Sequence, residues 1–231
     1  MNNYLKYLES IQSPSTFKRK IEYLKHNFSK FVTNNSVVLE IGPGLGEFIF
    51  LLNQRHINDI DIIDYDKSVI KHIEKKYKIE HSYNQDISVT KLKRKYDLIF
   101  LLQVLEHIPP KKYPDIIKNL YGSLNQKGKI IITVPNGGNP LGIVERYSDI
   151  THYNLFSDNS LIQLPNYCNL PDGYQAKVLP YSIPPSNILN IFRIVLQKIL
   201  HNLINLTVII NDGVYSHILT PNITCIITKT K

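Results

Sequence analysis

The 231 residues, 43% hydrophobic and 20% charged, suffice for one substantial packed domain and exclude a disordered or fibrous chain. Cys168 and Cys225 match no metal-ligand or redox spacing, which excludes a disulfide scaffold and reads as two reduced core thiols. The formal charge of +8 sits in runs such as KHIEKKYK (71–78) and KLKRK (91–95), which read as solvated helix faces and turns; no aromatic residues interleave with them, so a nucleic-acid partner is not expected.

The opening MNNYLKYLES lacks a basic stretch leading into an apolar run, so no secretory signal is expected and the location reads as cytoplasmic. From 1 to 33 apolar residues recur at helical spacing in two stretches, about 2–12 and 15–31, with Pro14 between them and Asn34-Asn35 closing the pattern: a helical N-terminal cap. SVVLEIG then reads as a buried strand feeding a tight glycine loop, followed by a helix over about 46–54. The alternation repeats as strand 59–63, helix 67–77, strands 80–83 and 96–102, helix 112–124 and strand 128–134, before the loop NGGNPLG. Strands alternating with helices predict an α/β, Rossmann-like, doubly wound fold, its seven-stranded sheet mostly parallel with helices on both faces. The later chain predicts a helix over 158–165, a strand near 174–179, a Pro-rich joint YSIPPSN (181–187), a long helix over 187–205 and a last strand over 222–229. The whole reads as one domain: cap 1–33, ligand-binding core 34–136, and a covering part 137–231 with the last two strands.

The run NILNIFRIVLQKILHNLINLTVII (187–210) comes nearest to a membrane segment, but Arg193, Lys198, His201 and four asparagines interrupt it. An amphipathic helix fits it better, packed on the sheet, roofing a pocket, or touching a membrane surface peripherally.

The strongest motif is Glu40-Ile-Gly42-Pro-Gly44-Leu-Gly46, between a predicted strand and a predicted helix. Glycines there let the backbone turn sharply and approach a ligand, and the helix start offers free N–H groups. A dinucleotide loop of the form G-x-G-x-x-G needs a third glycine at 47, where this chain has Glu47, so the spacing argues against a nicotinamide cofactor. The next strand ends in Asp64, where such a fold presents a carboxylate to two ribose hydroxyls. After the third strand, Asp86 puts another acid at the carboxyl edge of the sheet; loop or helix capping is the structural alternative for both acids.

VLEIGPGLGEF, IIDYDKSVI, QDI, YDLIFLLQVLEHI and LNQKGKIIITVPN, in this order over 36–136, resemble the successive motifs of class I S-adenosylmethionine-dependent methyltransferases. The resemblance implies that Glu40, Gly42, Gly44 and Gly46 surround the methionyl part of S-adenosylmethionine, that Asp64 with Tyr65 beside it holds the ribose, that Asp86 and Ile87 flank the adenine, and that Leu102 and Gln103 lie against the methionine end. Tyr65-Asp66-Lys67 departs from the Ser-Pro pair common there, and Pro43 fills a variable position. The segment PNGGNPLGIVERYSDITHYNLFSDNSL resembles one found in bacterial methyltransferases of polysaccharide biosynthesis, which implies that Arg146, Asp149, Thr151 and His152 lie over the active site and that the acceptor is a glycan or small molecule.

A sulfonium already makes its methyl group reactive, so the protein's part is to hold a nucleophile in line, with a base where the nucleophile is a hydroxyl. The candidates for that base are His152, with Asp149 three residues earlier to orient it, and His107. The alternatives are a local cap or packing role for His107 within VLEHI, a hydrogen-bonded loop clamp for Asp149 and His152, and for Arg146 a grip on an acceptor anion or a pairing with Asp149. Asp149 and His152 alone make a poor metal site, so no metal is expected. A small metabolite, or partner binding without catalysis, are the other readings; the oligomeric state is not encoded legibly.

Overall fold

The computed structural model describes residues 4–142, 149–213, 215 and 218–230. Two helices open the chain, α1 (Tyr4–Ile11) and α2 (Pro14–Phe28), and a 3-10 turn over Ser29–Phe31 replaces the end of the longer helix read from the sequence. Pro14 is at the first turn of α2, where its missing N–H costs nothing, and Ser13 caps the helix by accepting from the Thr16 N–H at 3.1 Å.

The core follows as β1 (Val38–Ile41), α3 (Glu47–Gln54), β2 (Ile60–Asp64), α4 (Lys67–Lys76), β3 (His81–Asn84), β4 (Tyr96–Leu102), α5 (Tyr113–Gly122) and β5 (Leu124–Pro135), then α6 (Asp158–Tyr167), β6 (Tyr174–Pro180), α7 (Ile188–Asp212) and β7 (Asn222–Lys229). The sheet has seven strands in the order β3-β2-β1-β4-β5-β7-β6. The pairs among β1 to β5 are parallel, and β7 runs antiparallel between β5 and β6. This is the expected doubly wound α/β fold.

Alternate residues of each strand serve opposite faces. Leu39, Ile41 and Ile130 pack with Ile116, Ile117 and Leu120 of α5 and Leu161 and Leu164 of α6. Val38, Ile60, Ile62 and Phe100 pack with Phe28 of α2, Phe48 and Leu52 of α3, and Ile73 of α4. Both faces are thereby covered, as a parallel sheet demands. Cys168 and Cys225 are free, buried thiols, and burial pushes both up to about 12, which leaves them inert.

β5 starts four residues before the expected strand because Leu124 pairs with Tyr96 across a register irregularity. Pro165 is tolerated inside α6. The larger departure is α7, which runs 25 residues to the left-handed cap Gly213 rather than stopping near 205, and does not simply pack on the sheet. Its buried residues are Asn190 and Asn205, whereas Phe192 (59%), Ile199 (53%), Leu203 (57%) and Ile210 (76%) face outward. The helix is amphipathic as expected, but its two buried residues are asparagines while a stripe of large apolar residues faces outward.

Candidate active site

The glycine loop lies at the carboxyl end of β1. Gly42, Gly44 and Gly46 all have positive φ, at +66°, +56° and +84°. A Cβ at Gly42 would stand 2.7 Å from Val104 Cγ2, and one at Gly46 would run into Tyr77 and Ile73, so at both positions shape as well as conformation requires glycine. The Gly42 N–H donates to the Ile63 carbonyl at 2.9 Å and Tyr77 Oη to the Leu45 carbonyl at 3.2 Å, which ties the loop to its neighbours. The cap helices close over it: Lys20 and Gln12 reach Glu47 at 2.7 and 3.1 Å, and Leu8 comes nearest to Gly44.

Glu40 is buried with Oε2 unpartnered, and burial, with Glu47 adding, holds its carboxyl well above the usual range. Asp64 ends β2, 7% exposed; burial pushes its carboxyl up to about 6, opposed by the Asp66 N–H that donates to it at 2.8 Å and assisted by the Asp66 charge. Tyr65 beside it is exposed, its phenol raised by partial burial and then by Asp64 and Asp66. Asp86 is exposed; partial burial pushes its carboxyl up, but Ser88 and Lys112 outweigh that and hold it below the ordinary value. Ile87 is buried, Leu102 half-buried, and Gln103 exposed with φ +59°, its amide donating to Asn222 Oδ1 at 3.1 Å. All of these line the ends of β1 to β4 in the order that the motifs require. A buried carboxylate with a bare oxygen, a glycine cradle and a buried aspartate at the end of β2 fit an aminoacyl nucleoside cofactor.

The second group of residues meets around Leu105–His107. Asp149 Oδ1 accepts from the Thr151 hydroxyl at 2.6 Å and from its N–H at 2.8 Å, and the same hydroxyl lies 2.8 Å from His107 Nδ1. The expected Asp149–His152 pair is therefore replaced: Asp149 orients His107 through Thr151, because the tight turn at 149–151 aims the carboxylate back at Thr151. Partial burial pushes the Asp149 carboxyl up, and the Thr151 bonds outweigh it and hold it below the ordinary value. Burial, then His152, holds His107 below its ordinary value. The two imidazoles stand with ring centroids 4.7 Å apart.

Glu106 was missed in the sequence. It is fully buried, and burial pushes its carboxyl up to about 8; its own backbone N–H lowers it somewhat without making a bond of ordinary geometry, and Asp149 raises it further. Its backbone carbonyl accepts from the Tyr153 N–H at 2.8 Å, which pins the 149–153 segment to the end of β4. Only its place directly before His107 and after an apolar strand could have marked it. Arg146 lies outside the described residues.

The family described as a methyltransferase domain matches residues 11–167. A small-subunit ribosomal RNA methyltransferase A of Hydrogenobaculum sp. is 28% identical over 100 residues, a match that spans 43% of this chain and 38% of that protein's length. Among solved structures, an S-adenosylmethionine-dependent methyltransferase of Archaeoglobus fulgidus aligns with a TM-score of 0.67 at 18% identity, covering 98% of this chain and 99% of that one. The plantazolicin methyltransferase BpumL, in complex with SAH, aligns with 0.61 at 14% identity, covering 98% and 88%.

Proposed function

The chain belongs to the methyltransferase-domain family, and from that premise we propose that it O-methylates a sugar or glycan hydroxyl in surface polysaccharide assembly, on the cytoplasmic side of the membrane. Its cofactor is S-adenosylmethionine, which supplies an electrophilic methyl group when bound. Glu40 and the loop Gly42–Gly46 would hold the methionyl part, Asp64 with Tyr65 the ribose, Asp86 and Ile87 the adenine, and Leu102 and Gln103 the methionine end.

The observation that carries the acceptor reading is the Asp149–Thr151–His107 chain, laid by the 149–153 segment over the edge of β4. Thr151 and Asp149 fix the His107 ring, and on this reading His152 or His107 would take the proton of the acceptor hydroxyl as the transfer proceeds. Arg146 would grip an acidic group of the acceptor. A cleft of about 460 Å³ between α7 and the 139–142 loop, lined by Leu141, Ile183, Arg193 and Leu200 among others, suits the acceptor's remainder. The outward apolar face of α7, with the exposed Lys198 to one side of it, suits peripheral contact with the membrane that bears a lipid-linked glycan. By length and composition α7 is also long enough to cross a membrane.

A second reading, methylation of a small metabolite, is favoured by that cleft, whose lining is largely apolar. Calorimetric titration with S-adenosylhomocysteine, followed by a methyl-release assay on nucleotide sugars, glycan fragments and small carboxylic acids, tests both. Micromolar binding that falls by about 100-fold or more in Asp64→Ala is expected, from loss of two charge-assisted hydrogen bonds. Turnover of the acids with none of the sugars would replace the glycan reading by the second.

A further inference from the structure

Among the described residues, three polar atoms in one place have no hydrogen-bond partner: both carboxylate oxygens of Glu106 and Nδ1 of His152, all buried. Leaving a buried polar atom unpaired is costly, and a fold rarely leaves three together unless something binds them. Glu106, His107 and His152 each offer a ligand atom within 4.8 Å of one another. Donors on one small ion stand about 3.4 Å apart, a difference that side-chain rotation closes.

The hydrogen bonds fix which nitrogen His107 offers. The Thr151 hydroxyl gives its one proton to Asp149, so toward His107 it can only accept. The proton of His107 is therefore on Nδ1, and Nε2 keeps a bare lone pair. A carboxylate that orients an imidazole through a hydroxyl, with the far nitrogen free, is how proteins set a histidine for metal ligation.

We propose that Glu106, His107 and His152 bind one divalent transition-metal ion at the carboxyl edge of the sheet, with open positions for oxygen atoms of the acceptor; in the metal-loaded protein His107 is a ligand and not a base, and the ion would acidify the acceptor hydroxyl in its place. Two imidazoles and a carboxylate suit Zn²⁺, Co²⁺ or Mn²⁺ better than Mg²⁺ or Ca²⁺, which prefer oxygen throughout. Three protein ligands leave the fourth and later positions open, the arrangement of catalytic rather than structural metal sites. Val104, two residues before Glu106, stands against Gly42, which ties the segment that carries Glu106 and His107 to the glycine loop. The expectation of no metal counted Asp149 and His152 as the ligands; in the folded chain Asp149 supports His107 instead. The ion's part in holding the acceptor rests on the methyltransferase reading, but its binding does not.

Protein stripped with a chelator is titrated with Co²⁺ alone and Zn²⁺ alone, by calorimetry and by the visible bands of bound Co²⁺, and separately with S-adenosylhomocysteine. One ion per chain is expected, with affinity reduced by about 100-fold or more in Glu106→Gln and in His152→Gln, and unchanged in Asp64→Ala. If either variant fails to fold, the wild type decides through its Co²⁺-shifted proton spectrum, in which two imidazole N–H signals must move. No ion bound by folded wild type, undiminished binding by the folded variants, or unmoved imidazole signals would each overturn the site. Co²⁺ binding without S-adenosylhomocysteine binding would keep the metal and sink the methyltransferase reading.

Discussion

Two stretches of the sheet's carboxyl edge treat buried charge differently. On the cofactor side the loop is shaped by backbone conformation, Asp64 has an amide partner, and one oxygen, Glu40 Oε2, is left bare. Around 105–107 and 149–153, among the described residues, Glu106 has no hydrogen-bond partner for either oxygen, His152 Nδ1 has none, and the neighbouring groups are spent on orienting His107. The first stretch leaves one buried oxygen bare, and the second leaves three buried polar atoms unpaired within a few ångströms of one another.

The comparison breaks most visibly at Gly42. Gly42→Ala puts a Cβ against Val104 at a left-handed φ and should cost about 2–3 kcal/mol in denaturant unfolding, with Val104→Ala restoring the share due to the clash. Protonation of Asp64 comes next. Its carboxyl lies near 6 rather than the ordinary 3.8, and only the ionised form accepts two ribose hydroxyls, so S-adenosylhomocysteine affinity should fall by about tenfold per pH unit below 6. The stability of the free protein moves the other way: the contribution of protonated Asp64 is fully present below 3.8 and is lost as pH rises through about 6. Asp64→Asn should flatten both profiles, which calorimetry and thermal melts over pH 4–8 would read.

Around Glu106 the sign reverses. Glu106→Leu in chelator-stripped protein should raise the unfolding free energy by about 1 kcal/mol, since it removes unpaired buried polar atoms; a loss of several would show that Glu106 has a partner in solution. The smallest effect belongs to α7: Ile199→Asp with Leu203→Asp should change thermal stability by less than about 0.5 kcal/mol while abolishing cosedimentation with anionic vesicles. A large loss of stability would mean that this face is covered by another protein surface.

The sequence was legible wherever local chemistry decides. Strand and helix alternation placed all seven strands, and Glu40 to Gly46, Asp64 and Asp86 fell at strand ends because a tight turn needs glycine and a strand end presents its last side chain. Glu106 was not legible, because its significance depends on His152, brought beside it by a hydrogen bond between segments far apart in the chain. Nor was the outward-facing stripe of α7: periodicity reveals that a helix has an apolar stripe, not which side the rest of the protein will take. The Asp149–His152 spacing suggested a pair, but a turn aims its carboxylate at the nearest amide and hydroxyl, here those of Thr151.

Because β7 wedges between β5 and β6, the sheet is closed by the last of its strands to leave the ribosome. Until residues 222–229 emerge, the buried edge of β5 has no neighbour, and at about 5–20 residues per second that interval lasts roughly 4–17 s. During that interval the growing chain exposes a long apolar strand edge, the kind of surface that invites mispairing until β7 covers it.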